Sequence, residues 1–169
     1  SSEALAVAGS QQAGFRGSHA GVWAGSAESW VDIHPAQASS SRALGTNGTQ
    51  QAGFAIVEGT EHASLWSGSA ASWVDLGPSL AQDSSANAIL GTQQAGYATF
   101  AGARHAGIWT GSAASWNDLH PAGAESSELF GTVGLAQVGV ATFGGVQHAG
   151  LWYGSASSWQ DLGSLLPTG

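Results

Sequence analysis

One string of residues occurs four times and constrains this chain more than its composition does. It reads His62-Ala-Ser-Leu-Trp-Ser-Gly-Ser-Ala-Ala-Ser-Trp-Val-Asp-Leu76, with further copies starting at His19, His105 and His148, each 43 residues from the next. All eight tryptophans lie inside these copies. A period between roughly 20 and 50 residues marks a repeat architecture, in which one small unit cannot bury its faces alone and stacks on its neighbours. The chain is therefore one repeat domain, with units at about 1-39, 40-82, 83-125 and 126-169.

Within unit 2, Ala43-Leu-Gly-Thr46 is a short strand candidate, and Asn47-Gly48 signals a hairpin because both residues tolerate positive φ. Gly9, Gly91 and Gly134 hold the matching place in the other units. A second strand is expected over Gln50–Val57, a third over His62–Ser67 and a fourth over Ser72–Leu76, with Gly68-Ser-Ala-Ala71 as the loop between the last two. Pro35, Pro78 and Pro121 open polar connections to the next unit. In unit 1, Gln12 precedes His19 by seven residues, whereas Gln51, Gln94 and Gln137 precede their histidines by eleven. The second hairpin of unit 1 must therefore be four residues shorter. No segment carries an apolar stripe of helical period.

Strand alternation places His62, Ser64 and Trp66 on one face and Ala63 and Leu65 on the other. If the loop centres on Ala70, Trp66 faces Trp73, and Asp75 faces Ser64, diagonal to His62 and within hydrogen-bond reach. Gly21, Gly107 and Gly150 stand at the Ser64 position and would leave room for the carboxylate. Both faces of each sheet then carry bulky apolar groups, so sheet must stack on sheet. The fold class expected is all-β, a β-propeller of four 43-residue, four-stranded antiparallel blades per chain. Four blades closing alone would need about 90° each, and eight blades from two chains about 45°, so a homodimer closing an eight-bladed ring is favoured over a four-bladed monomer.

Charge narrows the partners. Only 8% of residues are charged, Arg16, Arg42 and Arg104 are the sole cations, and the formal charge is −8. Nucleic acid and anionic membrane surfaces both need clustered Lys and Arg, and neither partner is expected. Cysteine is absent, which removes disulfides and thiolate ligands. The opening Ser-Ser-Glu, without methionine, is what a processed, trimmed or engineered chain would show.

The strings Gln-Gln-Ala-Gly, His-Ala-x-Leu/Ile-Trp-x-Gly-Ser-Ala and Trp-x-Asp-Leu resemble the HAF-type repeats of bacterial secreted and cell-surface proteins. The resemblance covers essentially the whole chain and implies a propeller-like fold and an extracellular setting. It carries over no catalytic role. Members of that family place Phe or Leu after His-Ala, where this chain has Gly or Ser. The His and Trp-x-Asp pairing is also similar to the structural hydrogen-bond set of WD-repeat propellers.

Every unit holds Ser, His and Asp, the ingredients of a nucleophilic triad. Fourfold copying fits a blade better than an active site, so no enzyme and no cofactor are expected. The pairs His19–Asp32, His62–Asp75, His105–Asp118 and His148–Asp161 are read as structural. The four histidines fall on separate blades, too far apart for a shared metal. His34 and His120, each before a proline, are expected in solvent. Trp30, Trp73, Trp116 and Trp159, on the outer strand, are the candidate ligand-binding residues, while Trp66 and its equivalents pack between blades. Tyr153 and Arg104 stand where units differ and could shape a binding surface. The function expected is a non-catalytic structural or binding scaffold; the alternative is a multivalent lectin with one shallow glycan site per blade.

Overall fold

The computed structural model describes residues 1–163. They form four antiparallel four-stranded sheets, one per unit, each with its strands side by side in chain order. Unit 1 contains β1 (Ser2–Ala8), β2 (Gln11–Arg16), β3 (His19–Trp23) and β4 (Val31–Asp32). Unit 2 contains β5 (Ala38–Thr46), β6 (Gln51–Val57), β7 (Thr60–Trp66) and β8 (Val74–Asp75). Unit 3 has β9 (Ser84–Leu90), β10 (Gln93–Phe100), β11 (Ala103–Trp109) and β12 (Asn117–Asp118), and unit 4 has β13 (Ser126–Thr132), β14 (Gln137–Phe143), β15 (Val146–Trp152) and β16 (Gln160–Asp161).

The first hairpin turns on a glycine with positive φ: Gly9, Gly48, Gly91 and Gly134. In unit 2 the turn proper is Gly48-Thr49, closed by the Asn47 N–H donating to the Gln50 carbonyl. Asn47 flanks the turn and steadies it, its Oδ1 accepting from the N–H groups of Thr49 and Gln50. The hairpin between β2 and β3 is shorter than its counterparts, as the spacing requires, and the strand order is unchanged.

Two expectations need correction. The fourth strand is only two residues long, because Ser72 belongs to a 3-10 turn, Ala70–Ser72, that lifts the chain out of the sheet. The first strand of unit 2 is longer than expected and starts at Ala38, directly after a turn in which the Ala38 N–H donates to the Pro35 carbonyl. A bulge interrupts the first ladder of every unit, at Leu5, Leu44, Asn87 and Phe130. Opposite the bulge stand Gly14, Gly53, Gly96 and Gly139, where a β-carbon would overlap the carbonyl oxygens of Glu3, Arg42, Ser85 and Glu128. That close backbone approach explains the glycine of the Gln-Gln-Ala-Gly string.

Among the described residues the core is three separate clusters, each lying between two consecutive sheets. Ala13, Ala20, Val22 and Ile33 of unit 1 pack on Ala43, Ala55 and Trp66 of unit 2. Ala52, Ala63, Leu65 and Leu76 of unit 2 pack on Ala86, Ile89 and Trp109 of unit 3. Ala95, Ala106, Ile108 and Leu119 of unit 3 pack on Leu129, Ala141 and Trp152 of unit 4. Each sheet thus presents a tryptophan face backward and an alanine–aliphatic face forward. Burial of this kind is what two-sided apolar alternation demands.

Candidate functional site

The repeated polar set assembles within each unit as the register predicts. Ser64 faces Asp75 across β7 and β8, with Gly21, Gly107 and Gly150 facing Asp32, Asp118 and Asp161 in the other units. Diagonal to each aspartate, histidine Nδ1 lies 2.7 Å from Oδ2 in His19–Asp32, His105–Asp118 and His148–Asp161, and 2.8 Å in His62–Asp75. The other carboxylate oxygen accepts a backbone N–H two residues on, from His34, Gly77, His120 and Gly163. Each aspartate therefore holds its short last strand to the sheet and shapes the turn that leaves it. With Nδ1–H donated to the carboxylate, the histidine tautomer is fixed.

His34 and His120 are half-buried rather than solvated. Each stacks on the histidine of its own unit, His34 on His19 at 3.9 Å between ring centroids and His120 on His105 at 4.0 Å. Their Nδ1 atoms meet the hydroxyls of Ser41 and Ser127 at 2.7 and 2.8 Å, and their Nε2 atoms meet the carbonyls of Ala38 and Ala124 at 3.0 Å. A carbonyl can only accept, so Nε2 carries the proton and Nδ1 accepts from serine. Burial, and then the neighbouring His19 or His105, holds both rings below the ordinary histidine pKa. Burial pushes Asp32 up, but hydrogen bonds from the His19 ring and the His34 N–H outweigh it and leave this carboxyl below its usual value.

The serines are engaged in holding the backbone. Ser41, Ser84 and Ser127 are buried and accept the N–H of Ala20, Ala63 and Ala106 in the preceding unit, each at 2.9 Å. Ser29, Ser72, Ser115 and Ser158 each donate at 2.6 Å to the carbonyl three residues back, closing the 3-10 turn. Gln51, Gln94 and Gln137 are fully buried, and their Oε1 atoms accept the N–H of Gly68, Gly111 and Gly154. In the sequence these glutamines show only as markers of the repeat, not as buried acceptors. Their fixed distance from the following histidine was the signal of a shared structural role.

The tryptophans divide into two classes. Trp66, Trp109 and Trp152 are fully buried between sheets, whereas Trp23, on the outer face of unit 1, is half-exposed. Trp30, Trp73, Trp116 and Trp159 are all half-buried. Trp30 and Trp116 lie over Gly21 and Gly107, where a β-carbon would collide with the indole ring. Gly21 and Gly107 therefore make room for the outer tryptophan rather than for the carboxylate, while at Gly150 a β-carbon would meet Trp152 of the same strand. In unit 2, Trp73 shifts to donate its Nε1–H to Ser64 Oγ at 2.9 Å.

Two equivalent grooves open beside the outer tryptophans. One, of about 630 Å³, is lined by Pro78, Ser79, Phe100, Ala113 and Trp116. The other, of about 420 Å³, is lined by Pro121, Ala122, Phe143, Ala156 and Trp159. Each has a tilted Phe–Trp pair as its floor.

A polar cluster unique to the middle of the chain also went unforeseen. The Tyr97 hydroxyl donates to Glu61 of unit 2, while the Arg104 guanidinium lies 4.0 Å over the Tyr97 ring and donates to Glu128 of unit 4. Burial pushes both the Tyr97 phenol and the Glu61 carboxyl up. Arg104 is thus engaged in joining sheets, while Tyr153 is exposed. Comparison with protein-family models gives no match for this chain, and comparison with curated proteins gives none either.

Proposed function

We propose that the chain is a non-catalytic β-propeller assembly whose sheets are blades and whose role is structural or binding. The observation that carries this reading is the use made of His and Asp in every unit and of the buried serine in units 2, 3 and 4. Asp75 and its equivalents hold backbone and histidine. Ser41, Ser84 and Ser127 are buried against the N–H of another sheet. A nucleophile needs an accessible hydroxyl with a free approach, and these serines have neither. The HAF-type resemblance and an extracellular setting belong to the same reading. A panel of ester, peptide and glycoside substrates tests it: turnover removed by His62→Ala or Ser84→Ala would overturn it, and a flat response across the panel supports it.

A second reading, a multivalent glycan binder, is favoured by the two equivalent Trp116 and Trp159 grooves. Indole faces suit the apolar faces of sugar rings. Titration of tryptophan fluorescence with a glycan array's best binder is expected to lose its response in Trp116→Ala and Trp159→Ala together. An array without a binder removes this reading.

A further inference from the structure

The two outer faces of the stack are the two halves of an interface that already occurs three times inside the chain. On unit 4 no described residue covers the forward face. Val138 is 47% exposed and Leu162 42%, while their counterparts Ala52 and Leu76 in unit 2 are fully buried. Ala149 is exposed as well, where Ala20, Ala63 and Ala106 are all at 0%. On unit 1 the backward face is open. Val7 is 69% exposed where Ile89 is 8%, and Trp23 is half-exposed where Trp109 is fully buried.

The internal interfaces come in two alternating kinds, and the open faces match one of them. Between units 1 and 2, and again between units 3 and 4, a threonine donates to the preceding unit's glutamine: Thr46 to Gln11, and Thr132 to Gln93. Between units 2 and 3 the same register position holds Ile89. Unit 1 carries Val7 there, so its face is of the unit 3 kind. Unit 4 carries Gly163 and Gly131 where unit 2 carries Gly77 and Gly45, so its face is of the unit 2 kind. A β-carbon on Gly45 would lie 3.3 Å from the Ala88 Cα and the Ile89 nitrogen, which shows how closely that backbone approaches. At Gly131 a β-carbon would meet only a methyl of Val138, so space remains for Ala6 and Val7.

We propose that a second copy of this chain covers both faces, unit 4 of each copy packing on unit 1 of the other, so that two chains close one ring of eight sheets. This rests on the propeller reading above. The Ala149 N–H then donates to Ser2 Oγ of the other copy, as Ala63 donates to Ser84, because Ser2 faces Arg16 as Ser84 faces Ala98. Trp23 becomes buried as Trp109 is. Two positions depart from the internal pattern. Val133 replaces Asn47, whose amide donates to Gly91 between units 2 and 3. Arg16 replaces the buried alanines Ala55, Ala98 and Ala141, and its stem is long enough to carry the guanidinium to the rim.

Light scattering across a dilution series tests the proposal. A mass twice the 16.9 kDa of the chain is expected. Ala149→Glu and Val7→Asp alter exposed residues of a single chain, so each should give a folded 16.9 kDa species with an unchanged far-ultraviolet spectrum. Ser2→Ala, which removes only a hydroxyl from each of the two seams, should weaken association about thirtyfold. A monomer at every concentration, an assembly larger than two chains, or charged variants that remain paired would each overturn it. In the monomeric case, solution scattering from an open arc would leave the propeller reading standing, while scattering from a structure without stacked sheets would remove both.

Discussion

Gly77 stands where units 1 and 3 carry His34 and His120, and its missing ring leaves a cavity of about 70 Å³ among His62, Asp75, Asp83 and Ser84. Gly77 has the same relation to Pro78, to the carbonyl of Ala81 and to Ser84 that His34 has to Pro35, Ala38 and Ser41. Gly77→His is expected to stack on His62 and raise stability by about 1 kcal/mol, from one ring contact and its hydrogen bonds; a lower melting temperature would count against it. The half-buried histidines His34 and His120 also set a pH dependence. Their folded pKa values lie below the unfolded value, so the stability they lend is fully present above pH 6.5 and is lost as pH falls through the lowered folded values. Urea midpoints should fall on acidification from neutral pH, and the double variant His34→Gln, His120→Gln should flatten that slope. A slope unchanged in the variant would assign the effect elsewhere.

At the scale of the element, the last strand is held by side chains more than by its ladder. Two residues pair, and the rest of the hold comes from the aspartate, the 3-10 turn serine and the tryptophan lying on glycine. Gly107→Ala pushes a methyl into the Trp116 indole and should cost about 1–3 kcal/mol, read as a lower denaturation midpoint. Gly107→Ser should cost less, because Trp116 can then adopt the hydrogen bond that Trp73 makes to Ser64. Equal losses would refute that account. Much of the element was legible in the sequence: alternation and the 43-residue period gave the faces, the His–Asp diagonal and the pairing of Ser64 with Asp75. The 3-10 turn was not legible, because its serines and alanines also suit a hairpin loop. Nor was the stacking of His34 on His19, since it depends on a backbone turn after Pro35 that period and alternation do not encode.

At the scale of the molecule, each core cluster among the described residues joins two units that are neighbours in the chain, as in other repeat proteins. Loss of a middle tryptophan should therefore weigh more than loss of an outer one. Trp109→Ala removes a fully buried ring and should cost about 3–5 kcal/mol. Trp23→Ala should cost a single chain less, and its cost should grow with protein concentration if a partner covers that face. Midpoints for both variants at two concentrations separate these effects.

Thr46 and Thr132 with their glutamines, and His34 and His120 against Gly77 and Gly163, also make the interfaces alternate. The stack consequently has a parity: its true structural period is 86 residues, a pair of units. Removing one unit, such as 83–125, brings two even units together and takes Gln93 away from Thr132. Removing 40–125 joins an odd unit to an even one and keeps the alternation. Chains of this kind can lengthen or shorten in twos without mismatch, so an odd-numbered relative would have to rewrite one of its seams.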